Sequence, residues 1–413
     1  MKKLGAQMNN YPKTALVVNC GSSSVKFAIL DPKDGHVFLN GIAEALGLDD
    51  ARISWKFNGG DKTEQSLGAG ADHKKALEYL VKNVLAKDQA LLDSIVACGH
   101  RIVQGGDIYS EPTLINDEVE ENIRKVIPFA PLHNPAHLLG IDAARASFPS
   151  IPHVAVFDTA FHQTMPPKAY RYAIPEEYYT DLHLRKYGAH GTSHMFLSQE
   201  AAKLLGKPVE QCNIITCHLG NGASISAVKG GKCIDTSMGL TPLDGLIMGT
   251  RCGSIDASVA FFLCDKMGMT PEEVKEVFNK KSGMLAVSGV SSDFRPIVAG
   301  MKEGNERCKL ALEMYAYRLA KFIASYYVPL GHVDAIVFSG GVGENGPVTR
   351  KLVLKELEES FGIKIDDAAN DHAKVFMGVD KQLITAPDSS VKVFVIATNE
   401  ELMIARSAMG FVK

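Results

Sequence analysis

Short apolar runs that end in polar or glycine-rich turns recur along the chain. Residues 15–19 (ALVVN), 212–217 (CNIITC) and 335–339 (AIVFS) are too short for helices and predict buried strands. Longer segments with helical spacing lie between such runs, so the pattern predicts an α/β fold with functional loops at strand ends. The predicted strands are 15–19, 25–30, 94–98, 153–157, 212–217, 223–228, 335–339 and 391–396. The predicted helices are 74–85, 118–127, 137–146, one that begins at Pro347 and one that follows the polar turn after strand 391–396.

Two segments about 200 residues apart share a strand, polar turn and strand. They are VVNCGSSSVKFAIL and IITCHLGNGASISAV. Their separation is about the size of one domain, which predicts an internal duplication, although two independent hairpins would give the same pattern. The segment GGVGENG (340–346) is predicted as a turn, and residues 50–70 and 366–392 indicate only loops or edge strands.

Composition narrows the classes of protein. The 413 residues predict two or three domains at roughly 150 residues each. The net charge of -3 argues against nucleic-acid and membrane-surface binding, but a local positive site could still take a small anion. The eight cysteines include no C-x-x-C pair, which favours a reducing compartment over a disulfide or zinc scaffold. With no membrane-spanning run and no signal peptide, the sequence predicts a cytoplasmic protein.

Two turns carry groups that could bind phosphate. Residues 19–24 (NCGSSS), followed by Lys26, combine backbone N–H groups, hydroxyls and a cation at a strand end. An ordinary hairpin is the alternative, because glycine and serine are common in turns. In HLGNGAS, Gly220 and Gly222 let the backbone approach a ligand closely.

Two further motifs suggest other chemistry. Segment 340–346 matches G-x-G-x-x-G between a strand and a helix, so a nicotinamide-dinucleotide site is an alternative. HNPAH and HGTSH place histidines four residues apart, at 133 and 137 and at 190 and 194. That spacing binds zinc on a helix, but the intervening proline and glycine argue against continuous helices. A zinc hydrolase therefore remains a minor alternative.

Nine segments in order resemble the successive motifs of the acetate kinase family. They are VVNCGSSSVKF, GHRIVQGG, APLHNPAHLLGI, VFDTAFHQTMP, YGAHGTSH, CHLGNGAS, MGTRCGS, FSGGVGENG and TNEELMIAR, and they cover about residues 15–410. The resemblance implies two duplicated α/β domains of the actin/Hsp70-like (ribonuclease H-like) fold, with a cleft between them. It implies a first domain at 1–160, with 397–413 packing back on it, and a second at 161–396 for nucleotide binding and homodimer formation.

The resemblance also implies a reaction, which is reversible and direct in-line phosphoryl transfer from ATP to acetate with Mg²⁺, or Mn²⁺ in its place. Acetate is already ionised at pH 7, so no general base is required. Positive groups must instead surround the transferring phosphoryl.

The resemblance assigns roles residue by residue. The implied catalytic residues are Asp158, His190 and Arg251, with Asp158 positioning Arg101 or the water molecules on magnesium. The implied acetate site is Arg101, for the carboxylate, with Val103, Leu132, Ala189 and Pro242 around the methyl group. The implied ATP site is Lys26, His218, Leu219, Gly220, Asn221, Gly222, Asp293, Phe294, Arg295, Gly341, Val342, Gly343, Glu344 and Asn345, and the implied metal ligands are Asn19 and Glu400.

Four positions depart from the family pattern. Gln104 stands where histidine is usual, Ser254 where aspartate is common, Ala257 where proline is common and Ala189 where phenylalanine is usual. The last departure leaves the acyl preference open, so a propionate or butyrate kinase stays an alternative. A non-enzymatic Hsp70-like or actin-like ATP-binding module is the alternative from another class; it would not need paired arginines at 101 and 251.

Overall fold

The structure is a computed structural model that describes residues 11–131 and 133–413. The chain divides into two compact units. Unit 1 holds the chain up to Ala160 together with Asn399–Lys413, and unit 2 is Phe161–Thr398. Each unit contains one sheet and its own buried apolar cluster.

The sheet of unit 1 has the strand order β5-β4-β3-β2-β1-β6-β8-β7. Its strands are β1 (Thr14–Gly21), β2 (Ser24–Leu30), β3 (Val37–Glu44), β4 (Arg52–Phe57), β5 (Thr63–Ser66), β6 (Ile95–Ile102), β7 (Thr113–Leu114) and β8 (His153–Phe157). β1, β6 and β8 run parallel, and β2 to β5 continue from β1 as antiparallel neighbours. The apolar runs of β1 and β8 are buried on both faces, as expected for strands covered by helices.

The sheet of unit 2 has the order β11-β10-β9-β12-β14-β13. Its strands are β9 (Asn213–Leu219), β10 (Ala223–Lys229), β11 (Lys232–Thr236), β12 (Ala335–Ser339), β13 (Lys381–Leu383) and β14 (Lys392–Ile396). From β11 to β14 the neighbours pair antiparallel, antiparallel, parallel and parallel, as do those from β3 to β8 in unit 1. This shared order confirms the predicted duplication.

Helices cover both sheets. In chain order they are α1 (His73–Tyr79), α2 (Gln89–Ser94), α3 (Asp117–Lys125), α4 (Asn134–Ser147), α5 (Pro167–Tyr170), α6 (Glu176–Thr180), α7 (Gly191–Leu205), α8 (Ser258–Met267), α9 (Pro271–Lys280), α10 (Gly283–Ser288), α11 (Phe294–Lys302), α12 (Glu306–Leu330), α13 (Gly340–Asn345), α14 (Pro347–Phe361), α15 (Asp367–His372) and α16 (Glu400–Met409). α16 packs on β1 and β6 of unit 1, and its first residue, Glu400, lies 3.5 Å from Arg101 near the carboxyl end of β6. Among the described residues, no helix has the length and apolarity needed to cross a membrane.

The structure corrects the prediction for GGVGENG, which is helix α13 and not a turn. The carboxylate of Glu344 bends back to the start of this helix, where Oε1 accepts hydrogen bonds from the Gly340 N–H at 2.8 Å and the Ser339 hydroxyl at 3.1 Å. A Cβ at Gly343 would lie 3.2 Å from the backbone of Phe338, so glycine lets the helix pack closely on β12. These tertiary contacts outweigh the low helix propensity of glycine.

Two smaller predictions also need correction. The helix predicted over 74–85 ends its regular part at Tyr79 and continues as a π-helical turn, Leu80–Val84, which keeps both of its end residues buried. Residues 366–392 contain α15 in addition to the edge strand β13. The prediction that the paired histidines do not share a continuous helix is confirmed, because α4 and α7 begin just after His133 and His190, and the proline and glycine lie in the first turns of these helices.

Candidate active site

The carboxyl ends of three parallel strands in unit 1 carry one group of the predicted residues. Asn19 lies near the end of β1, Arg101 near the end of β6 and Asp158 directly after β8. Glu400 is the first residue of α16, which packs on β1 and β6. Ligand sites of α/β proteins form at such strand ends, so this arrangement is a candidate functional site.

Arg101 and Asp158 form a two-pronged ion pair. The Arg101 guanidinium donates from Nε to Oδ1 of Asp158 at 3.1 Å and from Nη2 to Oδ2 at 2.8 Å. Glu400 Oε2 lies 3.5 Å from Nε. Burial opposes the charge, but the carboxylates of Asp158 and Glu400 outweigh it and raise the pKa of Arg101. Asp158 is 1% exposed, so it holds the guanidinium in one orientation and contacts solvent very little.

The first polar turn lies in the same unit. Asn19 and Lys26 are directly opposed across the β1–β2 hairpin, and the Lys26 side chain is exposed. The imidazole Nε2 of buried His73 lies 2.8 Å from the carbonyl oxygen of Gly21, which ties the hairpin to α1. The contact with His73 therefore holds the β1–β2 turn against α1, and the polar residues of the turn remain at the strand ends.

In unit 2, Arg251 and His190 flank the second polar turn. A Cβ at Gly222 would lie 3.5 Å from Arg251 Nη1 and 3.8 Å from His190 Cε1. Arg251 donates to the Pro242 carbonyl at 3.2 Å, and within the part of the chain that the structure describes no carboxylate forms an ion pair with it. Burial lowers the pKa of Arg251, but a guanidinium stays charged at neutral pH. A half-buried cation without a carboxylate partner beside an open glycine turn is suited to an anion.

A chain of hydrogen bonds runs behind His190. Its Nδ1 lies 2.8 Å from the Ser224 hydroxyl, which lies 2.8 Å from Nε2 of His194. Nδ1 of His194 is in turn 2.7 Å from the Thr216 hydroxyl. His194 is fully buried, and burial lowers its pKa well below the ordinary value. His190 itself has a left-handed backbone, with φ of 58°, and its ring stacks on that of His218 at 4.3 Å.

The structure therefore joins the histidines of HGTSH through the Ser224 hydroxyl. Neither Ser224 nor His194 was a predicted site residue. Both lie in segments that the resemblance covers, but only the register of β10 against β9, together with the packing of α7 on the sheet, shows that they support His190.

A cavity of about 1000 Å³ opens in unit 2 next to this turn. Of the residues predicted to bind ATP, Gly220, Asn221, Asp293, Phe294, Arg295, Gly341, Val342 and Asn345 line it. Lining residues that the sequence analysis missed include Lys302, Thr349, Lys374 and Phe376. The Phe376 side chain is 72% exposed and forms an apolar part of the cavity rim, and the backbone N–H of this residue donates to Oδ1 of Asn345 at 3.3 Å.

Other predicted nucleotide residues support the cavity from behind or lie outside its lining. Leu219 is 1% exposed, Gly343 packs on β12, and Glu344 is engaged at the start of α13 and by the Thr398 N–H. Nδ1 of His218 lies 2.8 Å from the Ser193 hydroxyl. Arg295, which does line the cavity, is exposed and pairs with Asp293, whose Oδ1 also accepts the Arg295 N–H at 2.8 Å and caps α11.

The predicted methyl-binding residues are distributed over both units. Val103 is partly buried in unit 1, and Leu132 lies outside the described residues. Ala189 is 4% exposed in unit 2, where its carbonyl oxygen lies 2.9 Å from Nε2 of His162. Pro242 contributes the carbonyl that holds Arg251.

Two of the departures from the family pattern have local structural roles. The Gln104 side chain is buried, and Oε1 accepts the Gly106 N–H at 3.0 Å, which stabilises the turn after β6. The Ser254 hydroxyl donates to Oδ1 of Asp244 at 2.7 Å and accepts the Gly245 N–H at 3.1 Å. Ala257 precedes α8 and is exposed, and nothing in the structure explains it.

Comparison with known proteins gives one consistent family. A sequence model described as the acetokinase family matches residues 14–406. A protein from Shewanella woodyi named acetate kinase is 51% identical over 97% of this chain and 99% of its own length. The crystal structure of Porphyromonas gingivalis acetate kinase has a TM-score of 0.91 at 43% identity, over 97% of this chain and 100% of that one. The crystal structure of a propionate kinase from Francisella tularensis has a TM-score of 0.89, also at 43% identity, over 96% of this chain and 99% of that one. The chain, with its two matching sheets and its glycine turn beside Arg251 and His190, belongs to the acetokinase family.

Proposed function

We propose that this protein is an ATP:acetate phosphotransferase, which reversibly transfers the γ-phosphoryl group of ATP to acetate and yields acetyl phosphate and ADP. The observation that carries the proposal is the continuity of the unit 2 cavity with an anion-receptive turn. Gly220 and Asn221 line the cavity, and the next residue, Gly222, faces Arg251 and His190. The family membership and the relatives named acetate kinase support this substrate.

In this proposal the cavity takes the nucleotide. Phe294, Val342 and Phe376 offer apolar surface for the adenosine, and Lys302 and Lys374 add positive charge. The phosphates then extend toward the backbone of the turn at 220–222. Gly249 packs under that turn, because a Cβ there would lie 1.9 Å from Oδ1 of Asn221. The turn is thereby held in one conformation while its outer surface stays free of side chains.

Phosphoryl transfer then depends on charge placement. The acetate oxygen is already an anion, so Arg251 and an N–H of His190 act by stabilising the negative charge of the transferring phosphoryl group. Arg101 binds the acetate carboxylate through the edge of its guanidinium that Asp158 leaves open. Asp158 acts by fixing Arg101 and does not serve as a general base.

Magnesium fits the oxygen donors of unit 1. The amide oxygen of Asn19 and the carboxylate of Glu400 are hard ligands of the kind Mg²⁺ prefers, with water completing its shell. When bound, Mg²⁺ neutralises charge on the nucleotide phosphates. Glu400 then serves two cations, because its Oε2 also lies 3.5 Å from Arg101 Nε.

The proposal is tested by incubating the full chain with ATP, Mg²⁺ and acetate and trapping the acyl phosphate as hydroxamate. We expect acetate-dependent hydroxamate and ADP in equal amounts, and ATP from acetyl phosphate and ADP in the reverse direction. ATP binding without acyl phosphate would instead indicate a non-enzymatic ATP-binding module. Turnover of propionate or butyrate without acetate would indicate the related acyl kinases.

The hydrogen-bond chain behind His190 gives a prediction with a matched control. Ser224→Ala should lower kcat about fivefold, because His190 loses the hydroxyl that selects its tautomer and a lost hydrogen bond costs about 1 kcal/mol. Ser226, two residues further on β10, is equally buried and bonds the Thr236 hydroxyl instead. Ser226→Ala should therefore lose stability but keep kcat.

The ¹⁵N shifts of His190 supply a second readout for this prediction. They should report a proton on Nε2 in the wild type and a mixture of tautomers in Ser224→Ala, with a changed pH profile of kcat. Equal kcat and equal ¹⁵N shifts in both alanine variants would show that Ser224 only stabilises the fold.

Acyl preference depends on Ala189 in this proposal. If the missing ring leaves space beside the methyl group, kcat/KM for propionate should be within about tenfold of that for acetate, since one methylene discriminates by only about 1–3 kcal/mol. Ala189→Phe should then shift the ratio toward acetate. Because Ala189 is part of the unit 2 core, a larger side chain there could destabilise the fold, so the Tm of Ala189→Phe must be measured together with its kinetics. Acetate dominance with an unchanged ratio in a stable Ala189→Phe would show that neighbouring side chains already fill the space.

We propose that the protein is a homodimer formed through unit 2. Helix α12 exposes Leu310, Met314 and Tyr317 along one face, and α8 exposes Phe261 and Phe262, at 69% and 61%. Apolar faces of this kind are buried when a second copy binds. Light scattering should give twice the 44.6 kDa chain mass; a concentration-independent monomer would contradict this.

All eight cysteines are free thiols, which supports a reducing compartment such as the cytoplasm.

A further inference from the structure

We propose that unit 1 contains a binding site for a borderline or soft divalent metal ion, of which Zn²⁺ is the type, formed by Cys98, His100 and His153. The site is separate from the oxygen ligands proposed for Mg²⁺. The three ligand atoms, Cys98 Sγ, His100 Nε2 and His153 Nδ1, all lie within 4.8 Å of one another. All three residues are buried.

The strand register brings these donors together. Cys98 and His153 are direct neighbours across the parallel pair β6–β8. Cys98 and His100 lie two residues apart on β6, so their side chains leave the same face of the sheet, and Arg101 leaves the opposite face. The donor cluster therefore lies on the other side of β6 from the proposed acetate-binding arginine.

The distances approach those of a metal centre. His100 Nε2 lies 3.4 Å from Cys98 Sγ and 2.9 Å from His153 Nδ1. Ligands at about 2.0–2.3 Å from a tetrahedral Zn²⁺ are separated by about 3.3–3.8 Å. The Cys98–His100 distance already lies in this range, and the His100–His153 distance is a few tenths of an ångström shorter.

The outer ring nitrogen of His153 is oriented as in known metal sites. Nε2 lies 3.0 Å from the carbonyl oxygen of Phe148, to which it donates, so the lone pair of Nδ1 points at the other two donors. A backbone carbonyl on the second nitrogen is the usual partner of a metal-binding histidine. Burial lowers the pKa of both His100 and His153, which keeps the imidazoles in the neutral form that binds metals.

Metal binding at this site involves a defined exchange of protons. Without metal, His100 donates its Nε2 proton to His153 Nδ1. On binding, that proton is lost from Nε2 while Nδ1 of His100 becomes protonated, and the Cys98 thiol releases its proton to the buffer as the thiolate–metal bond forms. Because the thiol releases a proton when the bond forms, affinity should increase with pH.

His153 also provides the access route. It lines a cavity of about 790 Å³ together with Arg145, Phe411 and Lys413. Two imidazoles and a thiolate favour Zn²⁺ or Co²⁺ over Mg²⁺, which prefers oxygen donors.

The experiment is a titration of the full, reduced chain with Co²⁺ in excess Mg²⁺, which occupies oxygen sites. We expect one equivalent of Co²⁺ to produce a thiolate-to-cobalt charge-transfer band and the visible bands of tetrahedral Co²⁺, both abolished by Zn²⁺. Cys98→Ala should remove the charge-transfer band, and His153→Asn should weaken binding at least tenfold. The matched controls are Cys308→Ala, another buried cysteine, and His36→Asn, an exposed histidine; both should bind as the wild type does.

A charge-transfer band that persists in Cys98→Ala, or its absence from the wild type, overturns the proposal. Circular dichroism and Tm identify variants that fail to fold. If Cys98→Ala is one of them, the proposal is tested by the affinity of His153→Asn and by the Tm of the wild type with Zn²⁺. We expect a loss of affinity in the variant and a rise in Tm in the wild type, and the absence of both would overturn the proposal. Binding is read without turnover, so this result and the test of acyl phosphate formation can fail independently.

Discussion

Arg251→Ala is expected to lower kcat/KM for acetate about a hundredfold, which corresponds to roughly 3 kcal/mol of transition-state stabilisation. The guanidinium lies beside Gly222 without a carboxylate partner among the described residues, so its charge is available to the phosphoryl group. Arg101→Ala should cause a loss of the same order, because Asp158 would then stay buried without its cation. Steady-state kinetics with acetate and ATP, supported by Tm, measure both.

Lysine should rescue little at either position, because it cannot reproduce the planar, two-pronged geometry of arginine. Arg307 is the matched control, since it lies in the same unit as Arg251 and also donates to backbone carbonyls, those of Ala286 and Val287. Arg307→Ala should keep kcat/KM near that of the wild type. Normal kinetics in a folded Arg251→Ala would remove this arginine from the active site.

Acid should unfold the protein at an unusually high pH, because several histidines are buried in neutral form. They are His100, His137 and His153 in unit 1 and His162 and His194 in unit 2. Burial is the main cause in each case and lowers the pKa, to about 3 for His137 and about 4 for His162.

Proton linkage determines whether these histidines stabilise or destabilise the fold as the pH falls. Above the unfolded pKa of about 6.5, folded and unfolded histidines are both neutral, and their contribution to stability is fully present. Below it, the unfolded chain binds protons that the folded chain does not, so each histidine costs about 1.4 kcal/mol per pH unit. With a typical unfolding free energy of about 5–15 kcal/mol, such a slope for five histidines should bring unfolding between about pH 6 and pH 4.

Urea midpoints measured from pH 8 to pH 5 in the presence of a chelator check this expectation. In His153→Asn the stability should fall less steeply with decreasing pH, because unfolding of this variant takes up about one proton fewer. His36→Asn, which changes an exposed histidine, should follow the wild-type curve. A urea midpoint that stays constant from pH 7 to pH 5.5 would contradict the prediction.

The local pattern of apolar and polar residues was sufficient to predict the positions of most strands. The runs 153–157 and 335–339 match β8 and β12 residue for residue, because continuous apolar runs of this length are stable only when buried on both faces. The repeated strand–turn–strand pattern likewise predicted the duplication, which the matched order of the two sheets confirms.

Local pattern failed where tertiary contacts set the backbone. Four glycines in GGVGENG indicated a turn, yet the Glu344 carboxylate and close packing on Phe338 make the segment a helix. Helix α12 was not predicted, although its 25 residues form the longest helix among those described, because its apolar residues are spread over several faces.

The sequence by itself determined the fold class, the duplication and the family, because these depend on motifs whose residues are consecutive or nearly so. It also indicated Arg101, Asp158, Arg251 and His190 one by one. Only the tertiary structure decided which side chains meet: Arg101 is fixed by a carboxylate 57 residues away, and His190 is linked to His194 through a serine from a different strand. The cluster of Cys98, His100 and His153 likewise exists only because β6 and β8 pair in one register. Contacts of this kind depend on strand register and helix packing, which are set by the burial of the whole core and leave no local signal in the chain.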